Sequence, residues 1–213
     1  GVRVEDFMSP TAPVYPPPIF RKNHPIDAAD QEWVSAEIQK CLDSGAVEEC
    51  SREDVIVVVA MGVVHQHGKR RLIFDGRPLN KFTPSPEGMT YMTLRQFQAG
   101  LRRNDWLFSL DHKSGYHHVH LHPDSRKYFG VRWNGRLYRY KFMPFGWAPA
   151  CFIYDTLSSV VSAFLAQLRI HNIHYLDDFG LAAPAKSSPI QRDWAVWLVM
   201  TTMYLAGYTV SAS

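Results

Sequence analysis

The chain has 213 residues, of which 46% are hydrophobic, 13% aromatic and 20% charged, a composition that builds a core and excludes the disordered and fibrous classes. Its formal net charge is only +3, but the charge is unevenly spread: residues 1–64 carry 5 basic and 11 acidic side chains, residues 65–141 carry 15 and 5, and residues 142–213 carry 3 and 4. The middle block is basic enough to suggest a polyanionic partner, with a merely solvated surface as the plainer alternative.

Prolines at 10, 13, 16, 17, 18 and 25 hold the backbone extended and remove sheet donors, so residues 1–26 read as an arm. From Asp27 to Ser44, Trp33, Val34, Ile38, Cys41 and Leu42 recur at helical spacing and Gly45 is placed to end the helix. Residues 55–59, 63–67 and 71–75 are β-branched runs that read as a small antiparallel sheet, with Gly68-Lys69-Arg70 as a basic hairpin tip. A second arm, Thr83 to Gly88, leads to a short apolar strand, residues 106–110, that ends at Asp111. Between Tyr128 and Phe142 two strands flank Asn134-Gly135, a pair that tolerates the positive φ of a tight hairpin. Residues 150–168 form an apolar, proline-free stretch that reads as a long buried helix. Residues 170–182 give strand, turn, strand around Tyr175-Leu176-Asp177-Asp178; residues 190–206 give a Trp-containing helix and residues 207–211 a last strand. Antiparallel hairpins mixed with crossing helices predict an α+β fold and not a doubly wound sheet.

Cys41, Cys50 and Cys151 are odd in number and lack metal-ligand spacing, which argues against a disulfide framework or a zinc site and for a reducing, intracellular setting. The longest apolar run, Val55 to Val64, has 10 residues, against about 20 for a bilayer span. The chain opens with Gly1 and shows no basic-then-apolar leader, so no secretory signal and no membrane are expected, and the lack of an initiating Met suggests a fragment.

Asp177 and Asp178 sit in an otherwise apolar hairpin, and Asp111 closes an apolar strand. Adjacent acids in apolar surroundings are costly unless a cation compensates, although Asp is also a common turn former. Three carboxylates at two strand ends suit a hard cation such as Mg²⁺, which shares oxygen ligands with substrate phosphates, and a pair of such ions suits phosphoryl transfer. After Asp111, the amides of Ser114 and Gly115 are near enough in sequence to meet phosphate, and Tyr116 could wall a sugar.

These residues carry a resemblance. Asp111-His112-Lys113-Ser114-Gly115-Tyr116 and Tyr175-Leu176-Asp177-Asp178 are similar to the aspartate motif and the Tyr-x-Asp-Asp box of reverse transcriptases of the retrotransposon type. Lys69-Arg70-Arg71 with Asp75-Gly76-Arg77-Pro78-Leu79-Asn80 resembles the fingers motif, and Met143-Pro144-Phe145-Gly146 with Ala148-Pro149-Ala150-Cys151-Phe152 a further one, all in the family's order. The end of the chain, from Leu205 to Ser213, looks most like DIRS-like elements, with gypsy-like elements as the alternative.

The resemblance implies a polymerase right hand with an antiparallel palm sheet backed by helices: an arm at 1–26, fingers at 27–82 and 119–151, palm at 83–118 and 152–213, and no thumb. It implies RNA-directed DNA polymerase activity, with two Mg²⁺ ions, or Mn²⁺ in their place, on Asp111 and Asp177, Asp178 in support and the His112 carbonyl as a further ligand. Arg71 or Lys69 would grip the incoming dNTP, Ser114 and Gly115 would contact its phosphates, Tyr116 would exclude the ribose 2′-OH, and Phe145 and Gly146 would border nucleotide and template. A primed RNA or DNA template is the implied partner, with thumb, RNase H and recombinase or integrase domains outside this chain. The loop at 146–150 is shorter than the family's usual one, and the lysine that the family's next motif places to protonate pyrophosphate is missing from this sequence. A catalytically silent nucleic-acid-binding relic is the alternative; a metal-dependent nuclease lacks a general-base candidate near the acids.

Two further patterns have simpler readings. His118, His120 and His122 would share a strand face and could bind a transition metal, but alternation with Val119 and Leu121 fits a half-exposed strand better. Trp194 and Trp197, three apart on a helix, are expected in the core.

Overall fold

The computed structural model describes residues 1–9, 14–88, 90–112 and 115–212, so Pro10 and Pro13 of the arm lie outside the described residues. In chain order, a 3-10 turn (Glu5–Phe7) precedes strand β1 (Ile19–Phe20), helix α1 (Ala28–Asp43), strands β2 (Val47–Cys50), β3 (Val57–Val58), β4 (Met61–Gln66) and β5 (Lys69–Phe74), and helices α2 (Arg77–Asn80) and α3 (Leu94–Gly100). Then come β6 (Trp106–His112), 3-10 turns at Gly115–His118 and Pro123–Tyr128, β7 (Gly130–Trp133), β8 (Arg136–Tyr140), α4 (Ala150–Gln167), β9 (His171–Tyr175), β10 (Asp178–Ala183), α5 (Pro189–Leu205) and β11 (Val210–Ala212). The fold is α+β, and its contacts divide it into two units, residues 1–86 with 119–150 and residues 87–118 with 151–213.

The first unit holds a five-stranded sheet in the order β1-β3-β7-β8-β2 and a separate β4-β5 hairpin. Gly45, at φ +71°, ends α1 as expected: its N–H donates to Leu42 O and that of Ala46 to Cys41 O, which satisfies carbonyls the last turn would leave open. Asn134 (φ 45°) and Gly135 (φ 78°) turn the β7-β8 hairpin, and His67 and Gly68 turn β4-β5 the same way.

Two expectations fail here. The three β-branched runs do not form one antiparallel sheet: β3 pairs in parallel with β1 and β7, and only β4 and β5 form a hairpin. The arm is not wholly without sheet bonds, because between Pro18 and Pro25 the N–H groups of Ile19 and Arg21 donate to Ile56 O and Val58 O. The core collects Trp147, Phe129, Tyr128, Leu79 and Met143, with Phe7 and Phe129 edge-on to the Trp147 indole at 5.3 and 5.2 Å.

The second unit is built on a four-stranded antiparallel sheet in the order β11-β6-β10-β9. Leu110 pairs with Phe179 and Phe108 with Leu181, so one face carries the apolar residues. Helix α4 meets that sheet through polar groups: Ser158 Oγ donates to Leu176 O at 2.8 Å, Ser162 Oγ to Asn172 Oδ1 at 2.6 Å, and Asp155 lies 3.3 Å from His174 Nε2.

The expectation of a long buried helix is corrected in part: Ile153, Tyr154, Val161 and Leu165 are buried, but Leu157, Val160, Phe164 and Leu168 are exposed. Its length and apolar composition would suffice to cross a membrane, but its polar stripe is committed to β9 and the turn after it. Trp194 and Trp197 are 62% and 55% exposed, so they are not core residues as expected; they pack edge-on against each other at 5.2 Å on α5. The histidine run is not a strand either, since residues 115–118 form a 3-10 turn and His120 makes only an isolated bridge to Phe142.

Candidate active site

The alternation that buries Leu110 and Phe179 puts Asp111 and Asp178 opposite each other in the β6-β10 ladder, with Tyr175 beyond Asp178 on β9 and Ser211 beyond Asp111 on β11. Directly opposed residues of an antiparallel pair have Cβ atoms about 4.5–5.5 Å apart on one face. Asp177 occupies the two-residue turn that joins β9 to β10, after Leu176 at φ 54°, a strained value for a branched side chain. The Ser158 hydroxyl holds the carbonyl of Leu176 and so supports that turn from α4. Burial pushes the Asp177 carboxyl pKa upward, and the charges of Asp178 and Asp111 push it the same way.

Gly115 comes next to this turn. A Cβ at Gly115 would lie 2.8 Å from the Tyr154 hydroxyl and 3.3 Å from Asp177 Cβ, so the absence of a side chain lets the chain after β6 approach the acidic turn. Tyr116 is buried, its hydroxyl 3.2 Å from Cys151 Sγ and its ring edge-on to Tyr154 at 5.1 Å. Burial, the Cys151 hydrogen bond and the Asp177 charge raise the Tyr116 pKa, keeping the phenol protonated. Ser114 lies outside the described residues, and His112 is the last residue of β6, paired with Val210.

Asp111 and Asp178 oppose each other across the ladder and Asp177 follows in the adjoining turn, and the repulsion their charges exert on Asp177 is what a divalent cation such as Mg²⁺ would relieve. Among the described residues no three His, Cys, Asp or Glu side chains form a metal-ligand cluster.

The other expected binding residues lie in the first unit. Strand alternation puts Arg70 on the face where its Nε meets the buried Asp30 at 3.0 Å, and Lys69 and Arg71 together on the other face; all three are exposed. Much of the basic block is already neutralised: Arg139 and Arg126 pair with Glu48, Arg136 with Glu49 and Arg77 with Asp75. Among the described residues, no ion pair engages Lys69 or Arg71.

Phe145 is 56% exposed, and Gly146, at φ +97°, is backed onto the carbonyl of Phe74 so closely that a Cβ would overlap it. Asn80 donates to Gly146 O at 2.9 Å and accepts from the Ala148 N–H at 2.8 Å. The segment 75–80 thus clamps the loop that presents Phe145, a supporting role that its motif spacing did not reveal.

The profile of the family described as reverse transcriptase (RNA-dependent DNA polymerase) matches residues 63–212. The chain belongs to the reverse transcriptase family. Transposon Tf2-3 polyprotein of Schizosaccharomyces pombe is 25% identical over 174 residues, covering 80% of this chain and 12% of the polyprotein. The chain spans about an eighth of the length of the curated relative it matches. The fold is that of fingers and palm: a foamy viral protease-reverse transcriptase solved with double-stranded DNA superposes over 93% of this chain and 33% of its own, at a TM-score of 0.78 and 18% identity. A foamy viral protease-reverse transcriptase solved with an RNA/DNA hybrid superposes over 92% of this chain and 25% of its own, at a TM-score of 0.77 and 18% identity.

Proposed function

We propose that this chain is the fingers and palm of an RNA-directed DNA polymerase of a retrotransposon, which joins deoxynucleotides to a primer 3′-OH on an RNA or DNA template. The observation that carries this reading is the opposition of Asp111 and Asp178 at a sheet end with Asp177 in the adjoining turn, in a chain of this family. Asp111 and Asp177, supported by Asp178 and the His112 carbonyl, would hold two Mg²⁺ ions, which supply charge neutralisation for the phosphoryl group and activation of the attacking oxygen. Phosphoryl transfer asks a protein mainly for positioning and charge stabilisation.

Arg71, with Lys69 beside it on the same strand face, grips the triphosphate. Ser114 and Gly115 amides contact phosphate, and Tyr116 excludes the 2′-OH. Phe145 and Gly146 border the nucleotide and template. Template-primer duplex is the natural partner of such a surface, as the foamy viral relatives are solved with double-stranded DNA and with an RNA/DNA hybrid. Thumb, RNase H and recombinase or integrase activities belong to other parts of the polyprotein. Three free thiols, Cys41, Cys50 and Cys151, suit an intracellular setting.

Primer extension on an RNA template with Mg²⁺ and the four deoxynucleotides tests the reading. Extension by the wild type that is lost in Asp177→Asn supports it, and Tyr116→Val should then raise ribonucleotide use. Salt-sensitive duplex binding with no extension by either protein would identify a catalytically silent binding fold instead.

A further inference from the structure

His118 occupies a position that none of the family motifs above assigns. Its Nδ1 lies 3.0 Å from Gly115 O, and its Nε2 lies 3.1 Å from the backbone nitrogen of Thr209. A backbone N–H can only donate, so Nε2 is the acceptor; this bonding pattern assigns the proton of a neutral imidazole to Nδ1, which donates to the Gly115 carbonyl. One side chain thus spans two segments. One is the 3-10 turn Gly115–His118 that follows Asp111 in the chain, and the other leads into β11, whose Val210 and Ser211 pair with His112 and Asp111.

The imidazole is itself held. Tyr208 meets it edge-on at 5.5 Å, and edge-on contacts continue from Tyr208 to Tyr154 at 6.0 Å and from Tyr154 to Tyr116 at 5.1 Å. The turn therefore has two anchors. Tyr116 is fixed from the α4 side by Cys151 and Tyr154, and Gly115 is fixed from the β11 side through His118.

We infer that His118 is a positioning residue for nucleotide selection: by tying Gly115 to Thr209 it sets the place of Gly115 and Tyr116 against the acidic turn. This rests on the polymerase reading proposed above. The bridge requires one donor and one acceptor about 2.2 Å apart on the same planar group. Glutamine offers both and leucine offers neither, so chemistry and bulk can be separated.

Two measurements test this on the full chain. Amide hydrogen exchange at Thr209 should quicken about fivefold to tenfold in His118→Leu, the loss of one ordinary hydrogen bond, and return toward the wild-type rate in His118→Gln. Unchanged protection in His118→Leu would overturn the bridge. In primer extension the dNTP KM should rise about tenfold in His118→Leu, with kcat within about threefold and a smaller preference for deoxynucleotides over ribonucleotides, and His118→Gln should restore both. A wild type that extends primers, with His118→Leu kinetically equal to it or His118→Gln no better than His118→Leu, overturns the inference alone. A wild type that extends no primer overturns the polymerase reading and the inference with it.

Discussion

Asp111 and Asp178 face each other directly across the β6-β10 ladder. Like charges in that relation destabilise a sheet, by about the 0.2–1 kcal/mol that opposite charges contribute there, and Asp177 in the next turn adds to the repulsion. Magnesium should therefore stabilise the wild type: at about five times its Kd it adds ~1 kcal/mol, or about 2–4 °C in Tm. Asp111→Asn and Asp178→Asn should each raise the Tm measured in EDTA and reduce the magnesium increment, as followed by thermal unfolding with and without the ion.

Gly115→Ala should separate the acidic turn from the segment after β6. The new methyl would lie 2.8 Å from the Tyr154 hydroxyl and 3.3 Å from Asp177 Cβ, so the turn or Tyr154 must move. A displacement of about 1 Å near reacting groups costs on the order of 100-fold in rate. Single-turnover nucleotide addition should fall by about that factor while duplex affinity, measured by anisotropy, stays within about threefold.

In the first unit, Gly146→Ala combines a left-handed φ of +97° with overlap against the Phe74 carbonyl. A loss of at least ~2 kcal/mol is expected, or about 4–8 °C in Tm. Asn80→Ala removes a donor to Gly146 O and an acceptor for the Ala148 N–H and should cost about 1–3 kcal/mol by denaturant unfolding.

Asp75 contributes to the acid sensitivity of that unit. Its two hydrogen bonds from the Arg77 guanidinium, both 2.7 Å, are the main cause that brings its pKa down from an ordinary 3.8 to about 2. A depressed carboxylate contributes stability that is fully present above its unfolded pKa and lost as pH falls through its folded one. Asp75→Asn should thus lower stability at pH 7 by about 1–2 kcal/mol, allowing for the exposed Arg77. It should also flatten the part of the acid limb between pH 3.8 and about 2, which urea unfolding across pH would read.

Local chemistry was the legible part of this chain. The Asn134-Gly135 hairpin, the Gly45 stop of α1 and the presence of a strand leading into Asp111 follow from φ preference and periodicity, which act over a few residues, although that strand runs on to His112. Which face α4 would bury was not legible. Asp155, Ser158 and Ser162 look like solvent residues, yet they bond to Asn172, His174 and the Asp177 turn, while Val160 and Phe164 stay exposed. The partner of β3 was equally hidden, since parallel pairing with Ile19–Phe20 spans a distance in sequence over which pattern carries no register. At the acids, the sequence offered three carboxylates but not their arrangement: only the ladder register puts Asp178 opposite Asp111. His118 was misread for the same reason, because its two partners, Gly115 and Thr209, meet only in the folded chain.

The central claim is that these acids catalyse templated addition of deoxynucleotides. Its most direct measurement is addition of a single nucleotide to a DNA primer on an RNA template, with protein in excess so that processivity does not enter. The wild type with Mg²⁺ should add only the complementary deoxynucleotide, and Asp111→Asn should lower the rate by at least about 100-fold while duplex binding persists. Addition that survives Asp111→Asn unchanged, or no addition by wild-type protein that binds the duplex with Mg²⁺ or Mn²⁺ present, would contradict it.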